Sequence, residues 1–135
     1  MKFSKWTSWN KRNDRDNINC PGVYLLALFE KNVPEEANIL DKNIVYVGET
    51  HTISRSLKQR WYEFNNSAFR NKSGHSGGWT YADKISGNGE NLYVSVYPVK
   101  DMDEKLIPLH IKYIERKIIY EFTLKWGDKP ICNID

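Results

Sequence analysis

Two charged residues of this chain stand where an apolar side chain is due. Arg60 falls three residues after Leu57 and four before Phe64, so on a helix it borders their apolar stripe. Glu115 falls four residues after Ile111 and three before Ile118, inside a stripe that Ile114 and Phe122 complete. Solvation does not explain a carboxylate there, and a charge taken out of water needs a partner. One solution is that Arg60 and Glu115 pair with one another as a half-buried salt bridge, which adds little net stability. The other gives each its own ligand. A guanidinium grips a phosphate with two hydrogen bonds, and a carboxylate on a rigid helix holds a divalent metal. Together they suit phosphoryl chemistry, where charge neutralisation and positioning carry most of the catalysis.

Two tyrosines stand on short strand-like runs, Tyr24 in Pro21–Phe29 and Tyr46 in Ile44–Gly48. Strand residues alternate faces, so Gly22, Tyr24, Leu26 and Leu28 share one side, as do Ile44, Tyr46 and Gly48. If the runs pair, both phenols stand on one side of a sheet, with glycines leaving room beside them. That side is either a site or a core. A tyrosine ordinarily packs its ring and leaves its hydroxyl at the rim, and Tyr62, Tyr113 and Tyr120 are read that way. His75 lies in the glycine-rich stretch Asn71–Tyr81, read as a loop. Outside a core, its near-neutral pKa makes it a usable proton carrier. His51 and His110 have no supporting context.

The elements that must position these residues follow from pattern. Residues 1–20 show no sustained period, and Lys2, Lys5, Lys11 and Arg12 are interleaved with Phe3, Trp6 and Trp9. They form an arm whose aromatics either pack back on the domain or stack on a nucleic acid while the basic residues touch its backbone. Residues 21–135 form the domain proper. The polar segment Glu30–Asn43 is an exposed excursion between two antiparallel strands. A helix runs from Ser54, as N-cap, to about Asn65. Ser86–Gly89 reads as a turn and Asn91–Val99 as a strand, with Leu92, Val94 and Val96 alternating with Tyr93, Ser95 and Tyr97. A last helix runs from Pro108 to Trp126, with proline in its first turn and Gly127 as its stop.

A length of 135 residues is enough for one domain with a real core. The 40% hydrophobic and 27% charged fractions are those of an ordinary soluble protein, while the 13% aromatic fraction is somewhat high. A net charge of +3 and a pI near 8.8 are compatible with a polyanion partner without requiring one. The longest apolar run, Val23–Phe29, is far short of a membrane span. No apolar segment follows Lys2 and Lys5, so the N-terminus is not a secretory signal. Cys20 and Cys132 have no metal-ligand spacing and read as two free thiols in a reducing cytoplasm.

Order and spacing say more than any one of these residues. Gly22-Val23-Tyr24, then Val45-Tyr46-Val47-Gly48, then Arg60-Trp61 on a following helix, then Glu115 in Tyr-Ile-Glu-Arg, then Asn133, together resemble the GIY-YIG nuclease family over residues 21–133. The resemblance implies an α+β domain with a three-stranded antiparallel sheet flanked by helices, cutting DNA with a divalent metal, Mg²⁺ or Mn²⁺. By the same resemblance Tyr24 is the first-motif tyrosine that helps activate the attacking water, and Tyr46 stands beside the scissile phosphate. Arg60 contacts that phosphate, Glu115 is the single metal-binding glutamate, and Asn133 helps shape the site.

The chain also departs from the family. Many members carry His or Tyr one helical turn after the arginine, where this chain has Phe64; His75 is the nearest replacement. Some carry Lys after the second-motif glycine, where this chain has Glu49. The excursion between the first two strands is long for the family, and little length is left for a separate DNA-recognition domain. Specificity then falls to the arm, the excursion and the Asn71–Tyr81 loop, with Lys5, Lys11, Arg12, Lys72 and Arg60 as the nucleic-acid contacts. The reading is a metal-dependent DNA endonuclease that works as a homodimer, with a separate recognition subunit, or by sequential nicking. A non-catalytic nucleic-acid-binding module and a protein-interaction domain are its rivals.

Overall fold

The sheet is built outward from its most apolar strand. In the computed structural model, which describes residues 1–134, strand β2 (Gly22–Leu28) is hydrogen-bonded on one side to β3 (Ile44–Thr50) and on the other to β4 (Leu92–Pro98). A two-residue strand, β1 (Thr7–Ser8), adds to β4, giving the antiparallel order β1-β4-β2-β3. The class is α+β as expected, with four strands rather than three. The extra strand comes from the N-terminal residues. Ser4 seats them: its main-chain N–H donates to the Val96 carbonyl at 2.9 Å, and its Oγ accepts from the Val96 N–H at 3.0 Å. Phe3, Trp6 and Trp9 are buried behind it. The aromatics of residues 1–20 thus pack back on the domain, and the indole N–H of Trp9 donates to Asn65 at 2.9 Å.

Because strand residues alternate, the sheet divides two cores. On one face Val23, Leu25, Ala27 and Val47 meet Ile111, Ile114, Ile118 and Phe122 of helix α3 (Ile107–Trp126). On the other Tyr24, Leu26, Val94 and Val96 meet Leu57, Trp61 and Phe64 of helix α1 (Leu57–Phe69). Tyr24 lies opposite Gly48, and Leu26 opposite Tyr46, but Ala27 is next opposite Ile44. The bulge this creates moves Ile44 to the α3 face and leaves Val45 with Tyr46. The expectation that Ile44 and Tyr46 share a face is therefore corrected.

Three further expectations change. The N-cap of α1 is Ser56, whose Oγ accepts from the Gln59 N–H at 3.1 Å, rather than Ser54. The glycine-rich stretch is largely helical, holding α2 (Ser76–Lys84). Its glycines serve close packing: a Cβ on Gly78 would stand 2.7 Å from the Phe64 carbonyl of α1. Tyr62, Tyr113 and Tyr120 are exposed rather than packed. Gly127 does end α3, in the left-handed conformation at φ 91°. The free edge of β3 is covered by the tail, where the Cys132 N–H donates to the Val45 carbonyl at 2.8 Å. Cys20 and Cys132 are free thiols, and no helix among the described residues is long and apolar enough to cross a membrane.

Candidate active site

The site begins under the sheet surface. Tyr24 is fully buried, and its hydroxyl lies 3.0 Å from His75 Nε2. Gly48 makes this possible, because a Cβ there would stand 2.6 Å from both the Tyr24 hydroxyl and the Tyr46 ring. Gly77 performs the same service on the far side of Tyr46. The Tyr46 ring centre lies 6.1 Å from that of Tyr24, 5.8 Å from that of His75 and 5.9 Å from that of Phe64. Phe64 also meets the His75 imidazole edge-on at 5.2 Å. Phe64 is thus the bed on which this histidine rests.

His75 is a buried helix cap rather than the loop histidine expected; it is 3% exposed. Its Nδ1 accepts from the Gly78 N–H at 3.2 Å, and its own main-chain N–H donates to Ser67 Oγ at 3.0 Å. An Nδ1 that accepts carries no proton, so in the neutral ring Nε2 carries it and donates to the Tyr24 oxygen. Protonating Nδ1 would set two N–H groups against each other at the positive end of α2. Burial first, then Arg60 and Arg55, lower the His75 pKa to about 3. Burial also drives Tyr24 well above the ordinary phenol value, and Tyr46 up to about 12, with Arg60 opposing both shifts.

Above this sealed layer lies an open one, at the end of β3 and the start of α1. His51 Nδ1 lies 3.0 and 2.9 Å from the two carboxylate oxygens of Glu49. Arg60 Nη1 donates to Glu63 at 3.2 Å, and Arg55 pairs with the same oxygen. Among the described residues the ion-pair partner of Arg60 is therefore Glu63, on its own helix, and not Glu115. Glu49, His51, Arg55 and Arg60 line a cavity of about 190 Å³. A second cavity, of about 150 Å³, is lined by Tyr46, Gly77, Glu115, Arg116 and Asn133. Arg60, Glu49 and Glu115 all act electrostatically on both Tyr24 and Tyr46, which places the five residues in one neighbourhood. A larger cavity, about 570 Å³ between Phe3 and Ile39, contains none of them.

Asn133 clamps the edge of β3: Oδ1 accepts from the Val47 N–H at 2.8 Å and Nδ2 donates to the Val47 carbonyl at 2.9 Å. It shapes the second cavity by fixing the tail. The basic residues expected on nucleic acid stand apart, and none of Lys5, Lys11, Arg12 and Lys72 lines either small cavity. Lys5 makes an exposed ion pair with Glu35 at 3.6 Å. Arg12 sits 4.4 Å over the Trp9 ring and donates to the Trp9 carbonyl. Lys11 and Lys72 are exposed.

The residues that the sequence offered without a role are Arg55, Glu63 and His51, and Glu49 stood there only as a departure, not as the partner of His51. Two of the signals were present: residues i and i+2 on a strand share a face, and residues i and i+3 on a helix are neighbours. As a metal site the donor set is sparse. Among the described residues no three His, Cys, Asp or Glu side chains gather, and the Asn133 amide is already committed to Val47. A dedicated protein cage for the ion does not fit. Mg²⁺ held by one carboxylate, with water and substrate phosphate as its other ligands, does fit Glu115 at an open cavity. No family model, curated protein or solved structure matches the chain.

Proposed function

We propose that this chain is a divalent-metal-dependent endonuclease that hydrolyses phosphodiester bonds of DNA. The observation that carries the reading is that two small cavities along β3 are lined, one by two arginines and a Glu–His pair, the other by the half-buried Tyr46 phenol and the Glu115 carboxylate. The order of Tyr24, Tyr46, Arg60, Glu115 and Asn133, which resembles the GIY-YIG nucleases, is its second support. Free thiols at Cys20 and Cys132 accord with a cytoplasmic setting.

Arg60 and Arg55 take up the scissile phosphate, which replaces Glu63 as their partner. Tyr46 flanks it from the strand. Glu115 is the ligand for Mg²⁺ or Mn²⁺, which when bound supplies charge neutralisation at the phosphoryl oxygens. His51, held at Nδ1 by Glu49, receives the proton of the attacking water at Nε2. Tyr24 and His75 position rather than carry the proton. The histidine donates to the phenol oxygen, so the phenol's own proton is not directed at His75.

Incubation of supercoiled plasmid with Mg²⁺ tests the proposal. The wild type is expected to nick or linearise it, and Arg60→Ala and Glu115→Ala to lose at least about 10²-fold in rate. Cleavage that survives Glu115→Ala removes the metal role. Salt-sensitive binding of DNA without any cutting would favour the non-catalytic module instead.

A further inference from the structure

Helix α3 is apolar on two faces. Its inner stripe is taken up by the sheet. Its outer stripe consists of Leu106, Leu109, Tyr113, Tyr120 and Leu124, which are 52, 66, 61, 65 and 69% exposed. On a helical wheel these five side chains fall within a strip about 60° wide, where a surface helix carries polar residues. An exposed apolar strip of this kind, interrupted at its middle by Arg116 and Lys117, marks a contact surface.

We propose that a second copy of this chain covers it, with the two α3 helices antiparallel across a two-fold axis. The first support is symmetry. Leu109, Tyr113, Tyr120 and Leu124 are separated by four, seven and four residues, a spacing that reads the same in both directions. A two-fold axis between Arg116 and Lys117 sets Leu109 against Leu124 of the partner subunit and Tyr113 against Tyr120 of the partner subunit. Self-complementarity about one axis is what an isologous interface requires. The second support is charge. Lys117 at the axis is already compensated within its own helix by Glu121 at 3.6 Å, and Arg116 lines the cavity beside Glu115, so like charges do not dominate the seam. The third is area: the exposed parts of these five residues come to roughly 600 Å² per copy, near the ~800 Å² per partner of a standard stable interface. Tyrosine is also among the residues enriched at such surfaces. None of this depends on the nuclease proposal.

Sedimentation equilibrium of the whole chain up to about 100 µM tests it, a range that captures even weak self-association. The wild type is expected at twice its 15.9 kDa mass. A double variant, Tyr113→Glu with Tyr120→Glu, is expected to be monomeric with unchanged far-UV circular dichroism, since both side chains are exposed. Orientation is read by crosslinking. Leu109→Cys chains mixed with Leu124→Cys chains should form a mixed disulfide, whereas Leu109→Cys chains alone should not. A monomer throughout, a dimer indifferent to the double variant, or crosslinking of Leu109→Cys chains alone each overturns the proposal. So does a monomer that sediments with anionic phospholipid vesicles, which would assign the stripe to a membrane surface.

Discussion

The two layers of the site differ in almost every property. Below, Tyr24, Phe64 and His75 are sealed from water, held ring against ring, and spaced by two glycines that leave no slack. Above, Glu49, His51, Arg55, Arg60 and Glu63 are half-buried and polar, joined by an imidazole–carboxylate contact and by ion pairs that a ligand can exchange. A buried neutral histidine and a buried phenol are poor proton carriers, because ionising either one there opposes its desolvation. The half-buried Glu–His pair instead lines an open cavity, where a water can reach it. The lesson is a division of labour, in which the lower layer fixes the shape and the upper layer meets the substrate.

The sharpest way to break this comparison is at Phe64, which touches Trp9, Tyr46, His75 and Tyr81. Phe64→Ala is expected to cost about 3–5 kcal/mol in urea unfolding, because it opens a cavity in a site that cannot collapse. Arg55→Ala, in the upper layer, should cost no more than about 1 kcal/mol. Equal costs would erase the distinction between the layers.

A smaller effect follows from His75. Its folded pKa, about 3, lies below the unfolded value of 6.5, so the unfolded chain binds the extra proton first. The stability this burial contributes is complete above pH 6.5 and is lost as pH falls towards 3. His75→Asn keeps a capping side chain but removes the titrating group, and is expected to flatten the fall in urea midpoint between pH 6.5 and 5, above the main carboxylate range. An unchanged slope would show that His75 does not titrate as a buried group.

The smallest effect concerns Glu63, which both arginines share. Glu63→Gln is expected to change stability by less than about 1 kcal/mol, since the pairs are partly exposed. It should tighten binding of a short DNA duplex by about two- to fivefold at low salt, because it frees two cations for the phosphate. Weaker binding would mean that Glu63 orients the arginines for the ligand rather than occupying them.

Much of this fold was legible because its long elements obey one period each. The strands at Tyr24 and Tyr46, the alternation of Leu92, Val94 and Val96, and the isoleucine stripe of α3 with its glycine stop all follow from residue type and spacing. The rest was not legible, for physical reasons. β1 is two residues long, and what seats it is Ser4 bonding to Val96, a contact that no local period announces. α2 is disguised because glycines ordinarily break helices, whereas Gly77 and Gly78 are there to let a helix approach Tyr46 and α1. The bulge opposite Leu26 and Ala27 shifts register without a glycine or proline to mark it. In the site, residue order set Tyr24, Tyr46, Arg60 and Glu115 together as candidates, but that Tyr24 is sealed from water was not legible. Exposure depends on how α1 and α2 close over the sheet, and Glu49 with His51 gained meaning only once Arg55 and Arg60 stood beside them.

The most direct measurement of the division of labour is single-turnover cleavage of a labelled DNA duplex by Tyr24→Phe and His51→Ala, side by side with the wild type. Tyr24→Phe leaves the His75 Nε2–H unsatisfied at a cost of about 1–3 kcal/mol, so the comparison is made well below its unfolding temperature. His51→Ala is expected to lose about 10²–10⁴-fold in the cleavage rate, the usual contribution of a general base, while Tyr24→Phe stays within about tenfold of the wild type. A Tyr24→Phe variant that is dead, beside a His51→Ala variant that cuts normally, would contradict the account and return the chemistry to the buried phenol.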